Sequence, residues 1–310
     1  MRRPAFIAAG LILGSAAVTT TAAVTGREPI AEARPQVALA MWVWDTKAAT
    51  SSAQREKLLA FCRTQRVSAL YLNVYQLSPP EQASYRSFLR AAHHQGTRVH
   101  ALAGDPRWAL ARYHHLPLAW VEQVTAFNHG GHPDERFDGI HTDIEPYLLT
   151  RAWTEHPAQL LGGLLDLHAK IAEITARSRP LQLGADAPFW FDDDPDYAIE
   201  WHGRVLPPSH HLLNVADYLT VLAYRNYADG TEGIIELSRR EIEYAQQIGK
   251  QVVIGQETQP DLFPAYITYG GTSAEYFWGE LAKLVRAFHD RPSFWGVAVH
   301  HYESFRQLIG

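Results

Sequence analysis

The chain has 310 residues, 46% of them hydrophobic and 20% charged, which is ample for a large folded core. A net charge of −5, from 28 Lys and Arg against 33 Asp and Glu, leaves no basic excess and argues against a nucleic-acid partner. The lone Cys62 excludes an intrachain disulfide and a cysteine-based metal site, and in "EKLLAFCRTQ" it reads as a small core hydrophobe.

The N-terminus reads as a targeting segment. Arg2 and Arg3 precede an apolar run from Ala5 to Val18, and small residues follow with a cut expected after Ala23. No cysteine lies near that point, which argues against a lipoprotein; an uncleaved membrane anchor is the alternative. Residues 1–35 are therefore set apart as signal peptide and extension, with export and a secreted or extracytoplasmic location expected. Any membrane contact would run through this segment alone.

From residue 36 to 310, short apolar runs alternate with helical patterns. The strand-like runs are 37–45, 67–75, 97–104, 137–145, 181–187, 218–224, 251–257 and 295–301. Helical segments between them include 50–63, 79–96 opening on Pro and closing on Gly96, 158–177, 233–249 closing on Gly249, and 272–288 with Thr272 and Glu275 at capping-box spacing. Eight such units predict a one-domain α/β fold, a (β/α)8 TIM barrel. A doubly wound sheet would place a glycine-rich turn after the first strand, where "MWVWD" stands instead. Only residues 302–310 follow the eighth run, so either the last helix is a stub or the N-terminal segment covers that side.

Barrels of this kind keep their chemistry where the strands end. Here those ends carry Trp44, Asn73, Asp105, Asp143, Glu145, Asp186, Tyr224, Glu257 and His301. The fourth run, "FDGIHTDIEPY", places His141, Asp143 and Glu145 at alternate positions, hence on one face, with neighbours roughly 6.5–7 Å apart along the strand. A carboxylate beside another carboxylate holds its proton more tightly, which is how a Glu is kept as a general acid near neutral pH. An ion pair with Arg225 is the bland alternative. Phe189, Trp190 and Phe191 beside the acidic run 192–196 suit a sugar, whose C–H faces stack on aromatic rings and whose hydroxyls bind acidic groups.

The stretch from Asp138 to Glu145 resembles the Asp-Gly-x-Asp-x-Asp-x-Glu signature of family 18 glycoside hydrolases, the chitinase-like barrels. The resemblance implies that Glu145 donates a proton to the leaving glycosidic oxygen. It implies that Asp143 orients an acetamido group whose carbonyl is the internal nucleophile, and that Tyr224, in "VLAYRN", holds the acetamido oxygen. His141 stands where the signature has its second Asp, and Arg225 stands where the family places an Asp after the tyrosine.

Glu257 offers a second plan, because many retaining glycosidases on this fold place the acid on strand four and the nucleophile on strand seven. The expected catalytic set is Glu145, Asp143 and Glu257, with Tyr224, Asp186, His141, His301, Trp190 and Asn73 binding substrate. The expected partner is a carbohydrate, with no cofactor and no metal. A metal-dependent hydrolase is one rival, since His141, Asp143, Glu145, His300 and His301 could gather at one rim. A non-catalytic carbohydrate-binding barrel is the other, although such lectins typically lack the acidic Glu.

Overall fold

In the computed structural model, which describes residues 36–192 and 197–310, eight parallel strands close into a barrel. They are β1 (Ala38–Val43), β2 (Ala69–Asn73), β3 (Arg98–Ala103), β4 (Gly139–Thr142), β5 (Gln182–Pro188), β6 (Tyr218–Leu222), β7 (Gln251–Glu257) and β8 (Phe294–His300). Each pairs with its neighbours in sequence, and β1 closes on β8 in the register Ala38 to Gly296 through Met41 to Val299. The targeting-segment expectation, with its choice between cleavage and anchoring, falls outside the described residues, as does the 193–196 part of the acidic run.

Around the barrel run α1 (Ser52–Gln65), α2 (Pro79–His94), α3 (His115–His129), α4 (Pro157–Arg177), α5 (Pro208–Val215), α6 (Arg239–Ile248), α7 (Ala274–Phe288) and α8 (Tyr302–Leu308). Local chemistry sets their ends. Ser78 and Glu81 form a capping box at the start of α2, and Gly249 ends α6 in the left-handed conformation at φ 68°. The cap of α7 is Ser273, which accepts from the Tyr276 amide, one residue later than the Thr272 spacing predicts. The last helix is a stub, yet well anchored: Phe305 is fully buried against Phe61 of α1 and Phe277 of α7.

Strand alternation divides the apolar residues into two layers. Leu39, Met41, Leu70, Val99, Ile140, Leu183, Leu219, Ile254 and Val297 face outward and pack under the helices. Ala40, Trp42, Ala69, Tyr71, Leu102, Tyr218, Leu222, Val253 and Ala298 fill the barrel itself. The same parity sends His141, Asp186, Glu257 and His300 inward. Between β5 and α5 a short antiparallel hairpin pairs Ile199–Trp201 with Arg204–Leu206.

Candidate active site at the C-terminal rim

Asp143 and Glu145 follow β4 directly, where the chain leaves the sheet and turns at Pro146. The Oδ1 of Asp143 is buried and, among the described residues, has no hydrogen-bond partner. Glu145 is half-buried, and its Oε1 accepts from the Tyr147 hydroxyl, which leaves Oε2 to carry a proton. Asp186, from β5, lies just below: its Oδ1 is 2.8 Å from His141 Nε2, and its Oδ2 accepts from the Trp42 indole at 3.3 Å. Among the described residues no Lys or Arg reaches these three carboxyls. Arg225 instead donates to the Tyr224 carbonyl, stands 3.8 Å from Glu232, and lies over the rings of Phe189 and Tyr266.

Close carboxyls without a cation hold their protons more tightly than isolated ones. Burial, then the charges of Asp143 and Asp186, push the Glu145 carboxyl up to about 8. Burial, then Asp186, hold Asp143 well above the usual carboxylate range. The Tyr224 hydroxyl is raised by burial and then by Glu257, Asp186, Asp143 and Glu145, so four carboxyls converge on that one phenol. The protonated form of Glu145 is thus favoured in the folded chain over the pH range from its ordinary value, 4.5, to about 8. There the folded state binds more protons than the unfolded one, so this group's contribution to stability falls as pH rises through that window. Glu145→Gln, which has no proton to lose, is expected to flatten the fall; denaturation midpoints from pH 4.5 to 8.5 that decline as steeply in the variant as in the parent would refute the assignment.

Glu257 is only 4% exposed and is gripped on both oxygens. Its Oε1 accepts from the amides of Thr258 and Gln259 at 2.8 and 2.7 Å, and its Oε2 lies 2.9 Å from His300 Nδ1. The Trp44 indole donates to His300 Nε2 at 2.9 Å, which fixes the tautomer that donates to Glu257. His300 therefore occupies the place that the sequence reading gave to His301. His301 points to Glu303 of its own helix, at 2.7 Å, in a surface groove with Gln259 and Arg306.

Other expected residues also find definite places. His141 is 0% exposed and lies one layer beneath the rim, so in this structure it touches Asp186 and Tyr218 rather than anything entering the cleft. Asn73 donates to the Trp44 carbonyl at 3.0 Å and, among the described residues, makes no hydrogen bond to the carboxyls. Trp190 sits in a ring cluster with Trp153 and Tyr197 and packs edge-on against Tyr147, at 5.1 Å, the residue that holds Glu145. Trp42, Tyr147 and Tyr218 were not among the expected site residues, and His300 was named only in the metal-dependent reading; inward strand parity was the available signal for Trp42, Tyr218 and His300. Among the described residues no group of three or more His, Cys, Asp or Glu is arranged to hold a metal ion.

No protein-family profile matches this sequence, and no curated protein does. Solved structures match in fold. A GH18 chitinase from Pseudoalteromonas aurantia superposes with a TM-score of 0.56 at 11% identity, covering 86% of this chain and 94% of that one. A chitinase from Bacteroides thetaiotaomicron gives 0.51 at 11% identity, covering 87% and 93%. A family 1 β-glucosidase from Thermotoga maritima gives 0.54 at 9% identity, covering 86% and 88%. At such identities the likeness is one of fold: a (β/α)8 barrel, here with a carboxyl cluster at its C-terminal rim.

Proposed function

We propose that the chain is a glycoside hydrolase in which Glu145 is the general acid and the substrate supplies the nucleophile. The observation that carries this reading is a half-buried carboxyl at the rim of a barrel, held by the Tyr147 hydroxyl above two further carboxyls that no Lys or Arg of the described residues reaches, where burial and those neighbours favour its protonated form. Such an acid gives its proton to the glycosidic oxygen as the bond to the anomeric carbon breaks. The carbonyl oxygen of an acetamido group on the same sugar then bonds to that carbon. The unpartnered Asp143 Oδ1 suits the acetamido N–H, and Tyr224 suits the carbonyl oxygen. Water attacks the anomeric carbon next, the bond from that carbon to the acetamido oxygen breaks and restores the amide, and the proton lost by the water returns to Glu145, so the product keeps its anomeric configuration.

Glu257 fits an attacking role poorly, because both of its oxygens are already committed to donors. It serves as a rigidly held acceptor near Tyr224. Barrels of the same fold that are named as chitinases and a β-glucosidase support a sugar substrate, and the apolar segment 5–18 supports export.

Two variants separate the mechanisms. Tyr224→Phe is expected to lower kcat on N-acetylated aryl glycosides roughly 10²-fold, the usual loss when one donor to a developing charge is removed. Glu257→Ala is expected to gain no rate from added azide. A glycosyl azide product from Glu257→Ala would make Glu257 the nucleophile and overturn the substrate-assisted reading.

A further inference from the structure

Below the carboxyl cluster, a line of polar groups crosses the barrel interior. His100 Nδ1 lies 2.9 Å from the Tyr218 hydroxyl, and that hydroxyl lies 2.9 Å from His141 Nδ1. His141 Nε2 then reaches Asp186 Oδ1 at 2.8 Å. The His141 ring is clamped flat on Tyr71, with centroids 3.7 Å apart and planes 9° from parallel, so it cannot turn away. Two glycines make room for the line. A Cβ at Gly139 would stand 2.4 Å from His100 Nδ1, and one at Gly184 would stand 2.1 Å from the Tyr218 ring. At the lower end His100, Arg98, Gln182 and Gln251 line a cavity with about 20 Å³ for solvent, room for roughly one water molecule.

A neutral imidazole has one donor and one acceptor, and a phenol has a single proton to give. Burial first of all keeps both histidines neutral, pushing each down to about 3. With Asp186 ionised, only one direction satisfies every atom. His100 Nδ1–H donates to the Tyr218 oxygen, Tyr218 O–H donates to His141 Nδ1, and His141 Nε2–H donates to Asp186. Running the line the other way requires one more proton, placed on Asp186.

We propose that His100 and Tyr218 are positioning residues: they hold His141 as its Nε2–H tautomer, so that Asp186 keeps a hydrogen-bond donor and its negative charge beneath Glu145. Burial holds the Asp186 carboxyl well above the usual carboxylate range even though Trp42, His300 and Thr220 pull it down, so the His141 Nε2–H is a further donor that favours the charged form. Trp42 from β1 and Thr220 from β6 face the same carboxyl, and His300 from β8 lies near it. Asp143, Glu145, Tyr224 and Glu257 stand above, while Asp138 and Arg98 act on His100 at the lower end. Without the line, a proton on Asp186 removes one of the two charges that hold the proton on Glu145.

The consequence for turnover rests on Glu145 being the acid, but the charge arrangement can be read without turnover. Long-range ¹H–¹⁵N spectra of ¹⁵N-histidine-labelled protein, assigned by the loss of signals in His141→Gln, report the tautomer directly. His141 is expected to carry its proton on Nε2 from pH 5 to 9; a proton on Nδ1, or on both nitrogens, overturns the proposal. In ¹³C-carboxyl titrations assigned with Glu145→Gln, Tyr218→Phe is expected to lower the Glu145 midpoint by about 1 pH unit or more. His100→Asn, which places an amide N–H where Nδ1 was, is expected to leave the midpoint in place. An unchanged midpoint in folded Tyr218→Phe overturns the proposal. Should that variant not fold, the wild-type tautomer decides alone. A midpoint that moves while the alkaline limb of kcat/KM stays fixed supports the line and refutes Glu145 as the acid.

Discussion

Glu145→Gln is expected to lower kcat on substrates with poor leaving groups by about 10²–10⁴-fold, the usual contribution of a positioned proton donor. The amide keeps the size of the side chain, and its oxygen can still accept from Tyr147, among the described residues the one hydrogen-bond partner of the Glu145 side chain. What it cannot do is release a proton. The loss should shrink on aryl glycosides whose leaving groups depart without protonation, and this contrast separates a lost acid from a damaged cleft. Circular dichroism should be unchanged. Equal losses on good and poor leaving groups would mean that Glu145 shapes the cleft rather than donating to the bond, and full activity on both would remove it from the mechanism.

The largest expected loss of stability lies in the apolar layer outside the barrel strands. Phe277 is 0% exposed and meets the rings of Tyr269, Trp278 and Phe305 at 5.0, 5.0 and 5.4 Å. It joins the loop after β7 to α7 and to the short α8, so truncation opens a cavity that three separate elements would have to close. Phe277→Ala is expected to cost about 3–5 kcal/mol. At roughly 2–4 °C per kcal/mol for a domain of this size, Tm should fall by about 10 °C. A fall of only a degree or two would show that α8 can be spared, and that the barrel closes without its last helix.

Much of this architecture was legible in the chain because its signals are local. Each apolar run is bounded by caps, prolines or glycines, and the alternation of strand and helix leaves few topologies open. Asp143 and Glu145 were legible for the same reason, since they stand two apart where a strand must end. Depth was harder to read. β4 stops at Thr142, so His141 lies about one side-chain layer below Asp143 and belongs to the interior. Strand eight ends at His300 and not at His301, and with a period of two that single residue exchanges the inward and outward histidines. Tyr218 and His100 could not be paired from sequence, because they come from different strands whose relative height is set by barrel closure. Glu257 was visible as a strand-end carboxylate, but the amides that grip it belong to the shape of the following loop.

The polar line beneath the rim also bears on how such a chain can change over evolutionary time. An apolar layer tolerates piecemeal exchange, because one methyl group substitutes for another at modest cost. A chain of single-proton contacts does not: each member fixes the direction of the next, and two glycines are committed to the space it occupies. Positions 100, 139, 141, 184, 186 and 218 therefore form one heritable unit. Descendants should carry the whole set or replace it together.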